Sequence, residues 1–296
     1  MMALSHAVRR FAPLFVSIAM VAGCAHHEAP ESAPQSPGVI AETTSTDFAK
    51  LSHDWPLLAI AIGAGDSVYA ATGVAPFKVA AGASGEQIPV DTANYGYRGI
   101  AVDAAKNIYL TAILMSDEDK PDVVLKYSPG NSSPMSLPFT DLKRVGGVAV
   151  DAAGGIYVVD RGTNRVLHLL PGASAPTEVP FSGLNHPRGI ALDGTGNVYV
   201  TDFSRVLKLT VDTHQQSELP FNGLYRPWGV AVGPDGAVFV ADSENNRVLK
   251  LASGSDRQVR LPFVGLSLPS GVAVDGLGSV YVVNYGDSRI LKLAKA

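Results

Sequence analysis

The sequence predicts an all-β fold, a six-bladed β-propeller whose ring is closed by an N-terminal strand completing the last blade. Three observations lead there. The chain repeats, with units starting at Ala59, Gly99, Gly147, Gly189, Gly229 and Gly271, at intervals of 40, 48, 42, 40 and 42 residues. A fixed period near 40 residues marks a repeat architecture. Each unit holds four short runs of alternating Val, Ile, Leu, Tyr and Ala between Gly- and Asp-rich turns, too short and too β-branched for helices. Four strands per ~40 residues make a propeller blade. Finally, the sixth unit stops after its third run, while a segment before the first unit matches a fourth run and its exit.

The chain before the propeller has two parts. Residues 1–23 read as an export signal: Arg9 and Arg10, then an apolar run from Phe11 to Ala22. Such a run is too short for a permanent span, which needs ~20 apolar residues. It ends in Val21-Ala22-Gly23-Cys24. This segment resembles the lipobox of bacterial lipoproteins, which implies acylation of Cys24, cleavage before it, and a lipid anchor on the extracytoplasmic face of the cell membrane. Residues 24–40, rich in Pro, Ala, Ser and Glu, read as a flexible tether, and His26 and His27 as exposed spacers within it. Residues 41–296 form the propeller.

Within each unit the runs are lettered a to d. Blade four is the clearest: Gly189-Ile-Ala-Leu (a), Val198-Tyr-Val (b), Arg205-Val-Leu-Lys-Leu (c) and Leu219-Pro-Phe (d). The a–b turns carry Asp151, Asp193 and Asp275 followed by Gly. A recurring Asp at one turn is architecture rather than a metal site, because its carboxylate accepts the turn amides and Gly takes the positive φ. At the b-strand ends Asp160, Asp202, Asp242 and Asn284 recur with Arg165, Arg205, Arg247 and Arg289, which predicts a bridging pair in each blade. Strand d of blade six is expected from residues 42–48, an arrangement that removes the open sheet edges.

Composition narrows the function. The chain has 23 Lys and Arg against 27 Asp and Glu, a net −4. Removing residues 1–23 takes two arginines and no acid, leaving −6. No concentrated basic footprint for nucleic acid follows from these totals. One cysteine excludes an internal disulfide and CxxC-type zinc sites. No cofactor or metal is expected, and the protein is expected to be a monomer.

The pattern Phe-x-Gly-Leu-x-x-Pro-x-Gly-Val-Ala-Val-Asp, then Gly-x-Val-Tyr-Val-x-Asp, then Asn-x-Val-Leu-Lys-Leu resembles the NHL repeat over residues 42–296. A six-bladed NHL propeller outside the membrane is similar to the sensor domain of mycobacterial receptor Ser/Thr kinases. The kinase Gly-rich loop, HRD and DFG are absent here, so the resemblance implies a free-standing, lipid-anchored ectodomain. NHL propellers bind proteins, carbohydrates or, in animal cytoplasm, RNA. The resemblance thus implies a binding or scaffold module for an envelope protein or glycan.

Chemistry is sought among residues that do not recur. The d–a connections and b–c loops share one face of a propeller, around the channel mouth. The d–a connections supply Trp55, Tyr95, Tyr97, Arg98, Arg144, His186, Arg188, Tyr225, Arg226 and Trp228 as candidate binding residues, types enriched at binding hot spots. Arg98, Arg144, Arg188 and Arg226 would make a basic mouth on an acidic protein; a core-capping role for Trp228 and the tyrosines is the alternative. The second functional reading is a cell-envelope lyase or hydrolase, similar to streptogramin lyases or lactonases, with His53 or His186 as base. His168 occupies the slot of Lys208, Lys250 and Lys292 and is expected to face solvent. The acidic insertion Ser116–Lys120 reads as a solvated loop.

Overall fold

A computed structural model of the chain describes residues 45–51, 56–115 and 120–295. All belong to one compact unit, Glu42–Ala296. The signal, Cys24, the tether, His53, Trp55 and residues 116–119 of the acidic insertion lie outside the described residues.

Six four-stranded antiparallel sheets follow one another along the chain, each in the order a-b-c-d. Strand b is the buried centre of each blade. Ile156–Asp160, Val238–Asp242 and Val280–Asn284 are buried at every position. Strand c alternates more, as in Arg165–Leu169 and Arg247–Leu251. The cores lie between neighbouring blades. Tyr157, Val159 and Val166 of blade three, for example, pack with Ile190, Val198 and Val200 of blade four. Each fully buried Val or Leu contributes roughly 1.5–3 kcal/mol, so the ring is held by six such layers rather than by one centre.

The N-terminal segment closes the ring on strand c of blade six, as the repeat predicts, but the strand lies at Thr46–Lys50 rather than over 42–48. Thr46–Lys50 forms the outer strand of blade six, pairing Thr46 with Lys292 and Lys50 with Arg289. Ala49 and Leu51 are buried there, and Phe48 meets Tyr281 edge-on at 5.1 Å.

The d strands differ from expectation. They lie just before Leu-Pro-Phe in blades four and five, at Gln215–Glu218 and Gln258–Arg260, and in blade three at Thr177–Val179, up to the proline of Val-Pro-Phe. The leucine amide makes one more bond to strand c, from Leu219 to the Val206 carbonyl and from Leu261 to that of Val248. Proline has no N–H to continue the ladder. The chain then folds into a tight turn, with the amides of Phe221 and Phe263 donating two residues back to Leu219 and Leu261. The phenylalanines are thereby buried.

The a–b turns hold their aspartates by hydrogen bonds. The Asp193 carboxylate accepts from the amides of Thr195 and Asn197 and from the Tyr199 hydroxyl at 2.9 Å. Burial alone would raise this carboxyl; the bonds from Asn197, Thr195 and Tyr199 overcome it and hold it at about 2. Asp103 with Tyr109 and Asp275 with Tyr281 repeat the arrangement. On the same tyrosines lies the lysine of strand c, as with Lys208 over Tyr199 at 5.3 Å and Lys292 over Tyr281 at 4.8 Å. His168 takes this slot in blade three. It does not face solvent freely but stacks on Tyr157 with centroids 3.9 Å apart, because a flat ring lies down where an ammonium reaches past.

Candidate functional site

The mouth is built by a recurring clamp. The buried Asp at the end of strand b accepts the amide of a d–a connection: Lys143 to Asp160 (3.0 Å), Asn185 to Asp202 (2.9 Å), Tyr225 to Asp242 (2.8 Å). The same carboxylates hold Arg165, Arg205 and Arg247 at 3.1, 3.1 and 2.6 Å. Arg205 and Arg247 also donate to the carbonyls of Gly183 and Gly223 in the connection. In blade six Asn284 has no charge to offer, and Arg289 pairs with Asp287 and Asp47 instead. These residues are scaffold: they fix the loops.

The loops so fixed place side chains at two levels. The outer level is one residue per connection in the left-handed region: Arg144, His186, Arg226 and Leu268, with φ of 52°, 53°, 49° and 50°. The amides of His186 and Leu268 are held by Asn164 and Asn246 of the preceding blade, both at 2.7 Å. All four side chains are exposed. The inner level lies two residues on, at the entry to strand a. Leu58, Arg98 and Ser270 each sit at a register shift between strands a and b, and Arg188 and Trp228 occupy the same place in blades four and five. A bulge re-aims its side chain, and this one turns it to the rim of the channel.

At this inner level blade three carries Gly146. A Cβ there would stand 2.6 Å from the Arg188 carbonyl oxygen. Beside Gly146 lies a cavity of about 440 Å³, lined from blades two to five. Arg98, Arg144, Arg161 and Arg188 converge on it, with Lys120, Asp122, Trp228 and the apolar Ile113, Leu114 and Val145.

The electrostatics of the cavity are one-sided. Among the described residues Arg98, Arg144, Arg161 and Arg188 form no ion pair, whereas Arg165, Arg205, Arg247 and Arg289 all do. The Arg161 Nε is buried without a hydrogen-bond partner. Burial pushes the Arg161 guanidinium down, and the charges of Arg144, Arg226 and Arg98 push it further. Burial likewise takes Arg188 down to about 10, with Arg161 and Arg226 adding to it and Glu244 opposing; the group stays charged at neutral pH. Arg188 lies over the Trp228 ring at 4.8 Å. Asp122 accepts the Val145 amide at 2.7 Å through Oδ2. Its carboxyl is pushed up by burial, against the Val145 bond, with Asp160 raising it and Arg98 lowering it.

The structure brings Arg98, Arg144, Arg188 and Trp228 together at the cavity. Tyr225 and Arg226 are exposed, outside the cavity lining, and Arg226 pairs with Glu244 at 3.4 Å. His186 is also exposed outside the lining, its Nδ1 2.6 Å from Asn185 Oδ1. Two candidates belong to blade two's sheet instead. There strand a starts early, at Tyr95, so the residues read as a loop alternate across a strand. Tyr97 turns inward, is fully buried, and donates its hydroxyl to the Asp91 carbonyl at 2.7 Å. Tyr95 is half-buried against it. The core-capping alternative therefore holds for Tyr97. The sequence reading missed Arg161, Asp122 and Gly146. The signal for Arg161 was present, since the place after the b-strand Asp or Asn holds Phe203, Ser243 and Tyr285 in the neighbouring blades.

The profile of the NHL repeat matches residues 224–251, from the blade-five entry loop to the end of its strand c. The chain carries an NHL repeat. No curated protein sequence matches the chain. Among solved structures, the propeller is similar to a chain of a nidogen/laminin complex, at 19% identity and a TM-score of 0.64 over 81% of this chain and 89% of that one. It is also similar to a streptogramin B lyase, at 13% identity and a TM-score of 0.60 over 84% and 96%. An aldose sugar dehydrogenase from Streptomyces coelicolor in its PQQ-bound form gives 14% and 0.60 over 84% and 96%. At these identities the likeness is one of fold. Among the described residues no group of three or more His, Cys, Asp or Glu is placed to hold a metal ion.

Proposed function

We propose that this protein is a binding module that captures an acidic partner, an anionic glycan or an acidic protein segment, on the b–c and d–a loop face of its propeller. The observation that carries the reading is the convergence of four arginines on one cavity, none of them in an ion pair among the described residues, in a chain of net charge −4. Like charges held close and partly desolvated cost free energy unless a counter-charge arrives, so the arrangement favours an anion. Arg also offers the planar fork that suits carboxylate and phosphate.

The same reading places the protein at the extracytoplasmic face of a bacterial membrane, held by an acylated Cys24. Lys50 pairs with Arg289 at the mouth end of blade six, while Thr46 pairs with Lys292 at the other end. The described chain therefore enters blade six at the end away from its b–c loop.

The test is retention of the purified protein on immobilised poly-glutamate, polygalacturonate and neutral dextran at low and high salt. Retention is expected on at least one acidic polymer and not on dextran, falling with salt as exposed charge interactions do. The double variant Arg144→Ala/Arg226→Ala should elute earlier. Equal behaviour on acidic and neutral polymers would overturn the reading.

A further inference from the structure

We infer that the cavity beside Gly146 takes an anionic sugar unit, its carboxylate or phosphate held by the arginines and its hydroxyls facing Asp122. This rests on the reading that the mouth binds an acidic partner, and it selects the glycan. Three observations make the selection.

The first is charge. Among the described residues of the lining, Arg98, Arg144, Arg161, Arg188 and Lys120 stand against the one carboxylate of Asp122. A zwitterion such as a free amino acid would leave this excess uncompensated, so the occupant carries net negative charge.

The second is Asp122 itself. A site for a bare anion gains nothing from a carboxylate in its wall. The Asp122 carboxylate is engaged by the Val145 amide through Oδ2 and also by the Arg144 amide, which leaves two of its roughly four lone-pair directions for an occupant. An occupant that has an acid group and also donates hydrogen bonds satisfies both sides, and sugar hydroxyls are such donors. Aspartyl and glutamyl side chains have none once ionised.

The third is size and lining. About 440 Å³ falls within the range of small-ligand sites, and Ile113, Leu114, Val145 and Trp228 give it an apolar wall. An acidic peptide lying across the mouth would use the exposed rim at Arg144 and Arg226 and leave this recess empty.

The experiment is calorimetric titration of the purified protein with digalacturonate, glucose 6-phosphate, neutral galactobiose, triglutamate and inorganic phosphate. Digalacturonate or glucose 6-phosphate should bind, the stronger of the two telling carboxylate from phosphate, and galactobiose should not. Arg161→Gln should weaken that binding about tenfold or more, the loss of one charge-assisted contact. Asp122→Asn should lower the affinity for the sugar acid relative to inorganic phosphate, because a charged acceptor is replaced by a neutral one. Neither acidic sugar binding, or an unchanged ratio in Asp122→Asn, would overturn the inference. Retention on poly-glutamate with neither sugar acid binding would leave the proposed function standing and this inference alone refuted. Failure on every anion would remove both.

Discussion

Arg161 and Arg247 show what separates a working arginine from a structural one. Arg247 has Asp242 at 2.6 Å and a glycine carbonyl at 2.7 Å, so its charge is answered inside the fold. Arg161 has a buried Nε with no partner and like-charged neighbours. Such a residue lowers stability, and it persists where function needs it. Replacing it by methionine, of similar length and without charge, should raise the melting temperature by about 2–4 °C, the shift expected from ~1 kcal/mol in a domain of this size. The same variant should lose affinity for anions. A lowered melting temperature, measured by calorimetry, would mean that Arg161 is a structural residue after all.

Much of this scale was legible before the structure. The aspartate–arginine pairs follow from their recurrence, and Arg98, Arg144 and Arg188 were readable as mouth residues from their place in the connections. Arg161 was missed because it sits in a b–c loop next to a structural aspartate, outside the connections searched. Tyr97 was misplaced because alternation in a strand and exposure in a loop cannot be told apart when the strand's start is unknown. Gly146 reads as one more glycine; only the ring arrangement shows that its siblings are Arg98, Arg188 and Trp228.

At the scale of the element, the repeat determines more than local propensity does. Leu-Pro-Phe reads as a strand by composition, yet proline ends the ladder and the phenylalanine drops into the layer between blades. The closing strand is the opposite case: Thr46–Lys50 has little strand character, and its pairing was legible only because the sixth repeat shows three of the four runs. It covers the open edge of Arg289–Leu293 and buries Ala49 and Leu51. A chain begun at residue 52 should melt at a lower temperature and self-associate with concentration, since a bare strand edge pairs with other chains. Light scattering and thermal melting would show this. A monomer of unchanged stability would mean that the ring does not depend on closure by this strand.

For the whole molecule, one asymmetry organises the account. Five of the six blades place a side chain at the channel rim, Leu58, Arg98, Arg188, Trp228 and Ser270, while blade three places none. Beside that gap lies a recess, and arginines without an ion pair among the described residues gather around it. The fold class and the basic mouth were readable from the repeat; the recess was not, since its lining comes from four blades that only the folded ring brings together. The most direct measurement is amide hydrogen exchange of the purified protein with and without saturating polygalacturonate or poly-glutamate, whichever is retained. The account predicts protection concentrated at residues 143–147, 160–164 and 185–188, with the a–b turns at 151–155 and 193–197 unaffected. Protection at those turns with none at the mouth would contradict it.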